Sequence, residues 1–160
     1  MLYCREIRES DWPEIFKIQK ECYTQDFMEE LDSLQSRWVL SEDSCFVAEK
    51  DNAVIGYALS HPWHENDSPV LNLPLQLLPE SDLLYIHDIA ISRVSRRMGA
   101  ANLLIKELIF HSEKNNFTLL ALTAVQGNHT FWEKYGFSIV KNAGELKGYG
   151  DKAFYMKREN

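Results

Sequence analysis

The sequence predicts an α/β fold: one domain over residues 1–160, with a mixed sheet of about seven strands flanked by about four helices. Three observations carry this. Two apolar runs, Leu83 to Ile91 and Phe117 to Val125, are separated by Ala101, Leu104, Ile105 and Leu108 at helical spacing. That is the pattern of a strand, a covering helix and a second, parallel strand. Asp51-Asn52-Ala53 separates two shorter apolar runs, as a hairpin turn does. A length of 160 residues with 45% hydrophobic content suits a single core that needs neither disulfide nor metal.

The elements follow in order. Leu2 to Arg8 reads as a strand. Ser10 or Asp11 caps a helix with Pro13 and Glu14 in its first turn and Ile15, Ile18 and Cys22 as its apolar stripe. Phe27, Leu31, Leu34 and Trp38 describe the buried face of a second helix. The hairpin pairs Cys45 to Lys50 with Val54 to Ser60. Residues 62–79 hold four of the five prolines, too interrupted for a helix and long for a plain connection, so a binding loop or lid is expected. After the central strand, helix and strand, joined in a right-handed crossover, Asn128 to Tyr135 forms a short helix. Phe137 to Val140 and Lys152 to Lys157 end the chain as antiparallel strands. The order is β-α-α-β-β-β-α-β-α-β-β.

Composition disfavours several functions. Acidic residues outnumber basic ones 24 to 17, for a net charge of −7. Nucleic acid as a partner is disfavoured, and a cationic substrate mildly favoured. No apolar stretch has membrane-spanning length, and the start is charged too early for a signal peptide, so a cytoplasmic protein without membrane partners is expected. The three cysteines, Cys4, Cys22 and Cys45, are an odd number in mainly apolar stretches, which fits reduced, buried thiols. His61 and His64, with Glu65 and Asp67 nearby, do not make a metal site: Pro62 forbids helical pairing, and a solvated loop is the expectation.

The segment LLYIHDIAISRVSRRMGAA, residues 83–101, carries the functional signal. An apolar strand passes through a basic turn into a glycine at a helix start. The backbone N–H groups of residues 97 to 102 lack partners within the helix, and with the helix dipole they favour a phosphate. Gly99, Ala100 and Ala101 permit its close approach, while Arg96 and Arg97 add charge. Neither the Walker loop nor the dinucleotide glycine pattern is present.

Arg96-x-x-Gly99-x-Ala101 resembles the acetyl-CoA diphosphate signature of the GNAT superfamily of N-acetyltransferases. Downstream, Asn128 and Phe131-Trp132-Glu133-Lys134-Tyr135-Gly136-Phe137 are similar to the same family's Asn…Phe-Tyr-x-x-x-Gly-Phe block. The resemblance implies the element order read above and acetyl-CoA as co-substrate. Its implied contacts are Arg96, Arg97, Met98, Gly99, Ala100, Ala101 and Asn102 at the diphosphate, backbone pairing of Ile89, Ala90 and Ile91 with the pantetheine arm, and Asn128 and Trp132 beside it. An N–H freed by a bulge in the strand would serve the thioester oxygen.

Acetyl transfer to an amine also needs a base, because an alkylammonium at neutral pH is almost wholly protonated. His87 and Asp88 are titratable groups inside an apolar strand. Diamine-acetylating members of the family carry Glu-Asp there. His87 as base, directly or through water, and Asp88 orienting substrate or ordering the strand is the preferred reading; a locally satisfied histidine and a structural aspartate is the competing one. A regular strand sends the two to opposite faces unless a bulge begins there. Where the family has a tyrosine that protonates the leaving thiolate, this chain has Trp132, which has no usable acid. Either Tyr135 substitutes or the thiolate leaves unaided.

The expected function is acetyl transfer to a primary amine by direct attack on the thioester, a small-molecule acceptor being favoured. A protein amino terminus or lysine, and a non-catalytic acyl-CoA-binding module, are the alternatives. Residues 62–82 and the segment from Thr24 to Trp38 would wall the acceptor site, with Asp26, Glu29 and Glu30 suited to a cation. A monomer or homodimer is expected.

Overall fold

A computed structural model describes every residue except 142, 144, 145 and 147. Its elements are β1 (Leu2–Glu6), α1 (Trp12–Cys22), α2 (Leu31–Leu40), β2 (Phe46–Lys50), β3 (Ala53–Pro62), β4 (Leu83–Ile91), α3 (Ala100–Lys114), β5 (Leu119–Ala124), α4 (His129–Glu133), β6 (Ser138–Ile139) and β7 (Phe154–Glu159). The predicted order holds. The strands form one sheet, β1-β2-β3-β4-β5-β7-β6, in which β4 and β5 are parallel and the other neighbours antiparallel.

Sequence explains the main features. Asp51 and Asn52 both take positive φ, 50° and 66°, the backbone that a two-residue hairpin turn demands and that these side chains tolerate. At the start of α1, the Asp11 carboxylate accepts from the Arg8 N–H at 2.7 Å and pairs with the Arg5 guanidinium at 2.8 Å, fixing the turn from β1. Apolar side chains cover both faces of the sheet. Ile15, Ile18, Leu34 and Trp38 pack on Val47, Tyr57, Leu59 and Ala90. On the other face, Leu104, Ile105, Leu108 and Trp132 meet Leu84, Ile86, Leu120, Leu122 and Met156. Burial of Cys4 and Cys45 pushes both thiols up to about 12, so they act as small apolar groups. Among the described residues, no helix is long and apolar enough to cross a membrane.

Three expectations need correction. Phe27 is not on the second helix: α2 begins only at Leu31, and Phe27 closes a turn by donating its N–H to the Thr24 carbonyl. Leu31 is itself 38% exposed, so only Leu34 and Trp38 of that series are core. His61 does not lie in a solvated loop. β3 continues two residues further than its apolar pattern, because His61 and Pro62 still pair with Tyr85 and Leu84, and His61 is fully buried. Pro62 is tolerated there as the last residue of the strand.

Residues 63–82 form a pinned wall. Arg37, wholly buried in α2, reaches the carbonyls of Val70 and Leu73 at 3.4 and 3.5 Å. The Ser36 hydroxyl accepts from the Leu75 N–H at 2.9 Å, and the Asn72 side chain accepts from the Glu30 N–H at 2.7 Å.

Candidate active site

The site is where β4 and β5 part. Their parallel ladder covers Leu83 to Ile86 against Leu119 to Leu122 and then stops. Each strand stays paired on its outer side, β4 with β3 as far as Ile91 and β5 with β7 as far as Ala124. The cause is a β-bulge at His87: Leu59 of β3 faces Asp88 while its successor Ser60 faces Ile86, so His87 is the unmatched residue. An extra residue bends a strand and raises its twist, which turns β4 away from β5.

The bulge also resets the alternation of side chains. Leu83 and Tyr85 lie on the face opposite Leu84 and Ile86. Beyond the bulge Ala90 joins the α1 and α2 face, while Ile89 and Ile91 pack toward α3. His87 and Asp88 therefore share one face, the exception that a regular strand would forbid.

Backbone alternation assigns the strand edge. The Ser92 N–H donates to the Ile55 carbonyl at 2.8 Å, so in an antiparallel ladder residues 90 and 92 turn their amides to β3 and residues 89 and 91 face the gap. The Ile89 carbonyl accepts there from the Tyr23 hydroxyl at 3.2 Å, and the Ile91 carbonyl from the Cys22 thiol at 3.1 Å. Of the three residues expected to pair with a ligand, Ile89 and Ile91 keep that geometry, and the backbone of Ala90 is used by β3.

A cleft of about 730 Å³ fills the gap. It runs from His87 and Asp88 past Ile89, Ala90 and Ile91 to Arg96, Arg97, Gly99, Ala100, Ala101 and Asn102, with Asn128, Trp132 and Tyr135 on the β5 side. Met98 is the one predicted site residue outside it: its side chain is 45% exposed and meets Lys50 instead. At the turn, Arg97 and Gly99 take positive φ, 67° and 87°. A Cβ on Gly99 would meet nothing within 4 Å, so the turn is open toward a ligand. The Leu103 N–H is the first of α3 to find an acceptor within the helix, the Gly99 carbonyl at 3.0 Å. The amides before it point out of the helix start.

The opposite end is buried and charged. His87 Nε2 lies 2.6 Å from Glu29 Oε2, with both side chains almost fully enclosed. Arg37 stands 3.7 Å from the other Glu29 oxygen. Asp88 accepts from the hydroxyls of Tyr23 and Tyr57, each at 2.6 Å. Burial pushes the Asp88 carboxyl above its ordinary value, against the opposing effect of these two donors. Beside His87 and Asp88 a small chamber of about 60 Å³ is lined by Phe27, Leu71, Thr123 and Tyr149 among others. Tyr135 is not at this end; its hydroxyl donates to Asn102 Oδ1 at 3.1 Å, in the first turn of α3.

The chain matches the model of the acetyltransferase (GNAT) family over residues 12–137. It belongs to that family. As a GNAT protein it is an N-acetyltransferase with acetyl-CoA as its co-substrate. No curated protein matches the chain. Among solved structures, the fold is shared with the loading GNATL domain of CurA from Lyngbya majuscula, at a TM-score of 0.84 and 11% identity over 99% of this chain and 98% of that one. The ribosomal-protein-S18-alanine N-acetyltransferase of Escherichia coli gives 0.73 and 17% over 99% and 94%. The PaiA N-acetyltransferase of Thermoplasma acidophilum, solved in complex with coenzyme A, gives 0.74 and 13% over 100% and 99%.

Sequence reasoning missed the residues that hold the GNAT site's polar end in place. Tyr23 and Tyr57 lie 65 and 31 positions from Asp88, and Glu29 lies 58 from His87, separations that leave no local pattern. Glu29 was legible only as one acidic residue of a wall.

Proposed function

We propose that this chain acetylates a primary amine by direct attack of the amine on the thioester of acetyl-CoA, with a small-molecule amine as acceptor. The observation that carries this is the splayed junction of β4 and β5, which joins an open anion turn to a buried histidine within one cleft. The residues fit the ligand. Arg96, Arg97 and the amides of residues 97 to 102 would face the diphosphate, and the outward amides of Ile89 and Ile91 would pair with the pantetheine arm beside Asn128 and Trp132.

When bound, acetyl-CoA supplies an acetyl group activated as a thioester. His87 takes the proton of the attacking amine, and Asp88, tied to α1 and β3 through Tyr23 and Tyr57, orders the bulge that presents it. Tyr135 is engaged with Asn102, which favours departure of the thiolate without a dedicated side-chain acid; a thiol of ordinary pKa about 8.5 is a fair leaving group. The chamber of about 60 Å³ beside His87 suits a compact alkylamine end, which supports the small acceptor.

The test is thiol release from acetyl-CoA with a panel of alkylamines, diamines and short peptides bearing free amino termini or lysines. Release that depends on alkylamines or diamines is expected. Turnover with peptides alone would transfer the reading to a protein acceptor, and stabilisation by acetyl-CoA without turnover on any amine would make the chain a binding module. Gly99→Trp, which places an indole in the open turn, should abolish acetyl-CoA binding in a calorimetric titration while leaving the circular dichroism unchanged. Wild-type affinity in that variant would remove the turn from the site.

A further inference from the structure

We infer that Glu29 is the positioning residue of the reaction: it fixes the tautomer of His87 so that the Nδ1 lone pair awaits the acceptor amine. This rests on the reading of His87 as the base.

The argument begins with the hydrogen bond of 2.6 Å between His87 Nε2 and Glu29 Oε2. The Glu29 carboxyl, though buried, accepts from the Asn72 amide and the Ser33 hydroxyl and faces the Arg37 guanidinium, so it is a carboxylate and only accepts. Nε2 must then carry the hydrogen, and a neutral imidazole has its lone pair on Nδ1. That atom is buried and has no hydrogen-bond partner among the described residues. His87 lines both the large cleft and the small chamber. A buried acceptor without a donor is costly to leave in a folded protein, and a polar site lets a substrate N–H satisfy it.

Glu29 is itself held on every side. Its second carboxylate oxygen accepts from the Asn72 N–H at 2.8 Å and the Ser33 hydroxyl at 3.0 Å, and faces Arg37. Its backbone is clamped by buried Gln19, whose Oε1 accepts from the Glu29 N–H at 2.7 Å and whose Nε2 donates to the Glu29 carbonyl at 3.0 Å. A residue outside any helix or strand is thus as fixed as one within them, which is what orientation of a base requires.

The other groups near His87 do not compete for this role. Asp88 is occupied by two tyrosines. Tyr85 shares a hydrogen bond with Thr123. His61, with its ring centroid 6.1 Å from that of His87, is pushed toward its neutral form by burial, its Nδ1 facing the Pro62 carbonyl at 2.9 Å.

In the step itself the amine nitrogen bonds to the acetyl carbon, the C–S bond breaks with its electron pair leaving on sulfur, and the amine proton passes to His87 Nδ1. Glu29 stabilises the resulting imidazolium across Nε2–H without taking that proton. The proton later leaves to the thiolate or to solvent, giving the amide and free thiol.

The test is a cycle of E29Q, H87Q and the double variant, measured with the fastest amine of the panel. E29Q should lower kcat by roughly 10- to 100-fold with KM for acetyl-CoA changed less than about twofold, and H87Q by about 100-fold or more. The double variant should fall no further than H87Q alone, since Glu29 acts through His87. An E29Q with wild-type kcat, or one that costs the same factor in both backgrounds, overturns the inference while the base stands. Wild-type kcat in H87Q removes the base reading and this inference with it. Nitrogen-15 spectra of the ligand-free protein give a readout that needs no acceptor. They should show a pyrrole-type Nε2 and a pyridine-type Nδ1 at His87 in the wild type, lost in E29Q; the opposite tautomer in the wild type overturns the inference.

Discussion

Asp88 shows how one residue trades stability for placement. Its carboxyl is enclosed, and its raised pKa means that the folded chain holds that proton more tightly than the unfolded chain does. Stability then falls as pH rises through the ordinary carboxylate range and stays lower above the folded pKa. An amide at this position has no such titration. The stability of D88N relative to the wild type should therefore rise with pH from the ordinary carboxylate range upward in urea melts, and then level. A margin independent of pH would mean that Tyr23 and Tyr57 compensate the buried charge in full. Activity should fall in the same variant, because an amide offers one accepting oxygen where Tyr23 and Tyr57 each donate to a separate carboxylate oxygen, and the bulge at His87 loses part of its anchor. His87 and Asp88 were legible in sequence because a polar pair interrupts an apolar strand. Their shared orientation was not, because a bulge depends on the register of the neighbouring strand.

At the scale of elements, the legible features were those whose cause is local. The hairpin at Asp51 and Asn52, the stripe of α3 and the apolar runs of β4 and β5 each carry their own period or turn chemistry. The extra length of β3 through Pro62, the late start of α2 and the pinned wall of residues 63–82 depend on partners far along the chain. Arg37 is the clearest case, since a wholly buried arginine has no signature in a helix read by apolar spacing. It ties α2 to the wall through Val70 and Leu73 and lies beside Glu29. Arg37→Met should cost about 3–5 kcal/mol in urea denaturation, as when one partner of a buried pair is removed and the other left behind. Amide exchange in residues 63–82 should rise in the same variant. A loss under about 1 kcal/mol with unchanged exchange would show that apolar contacts alone hold the wall.

For the molecule as a whole, the sheet is continuous at one end and open at the other, and the opening is also where the backbone amides of β4 and of the start of α3 turn outward. The amides before α3 and the strand edges at Ile89 and Ile91 all face the cleft. A ligand that completes the sheet should therefore stabilise the entire domain rather than one loop. At a coenzyme A concentration a hundredfold above Kd the gain is about 2.7 kcal/mol. For a domain of this size that corresponds to a rise in Tm of roughly 5–11 °C. Hydrogen exchange should locate the cause, with protection gained at residues 87–91, 97–102 and 123–126 together. Protection at 97–102 alone would mean that the ligand is held by its phosphates and leaves the gap between β4 and β5 unbridged. In that case the thioester would not be delivered to His87, because the cleft runs between its two ends along those strand edges.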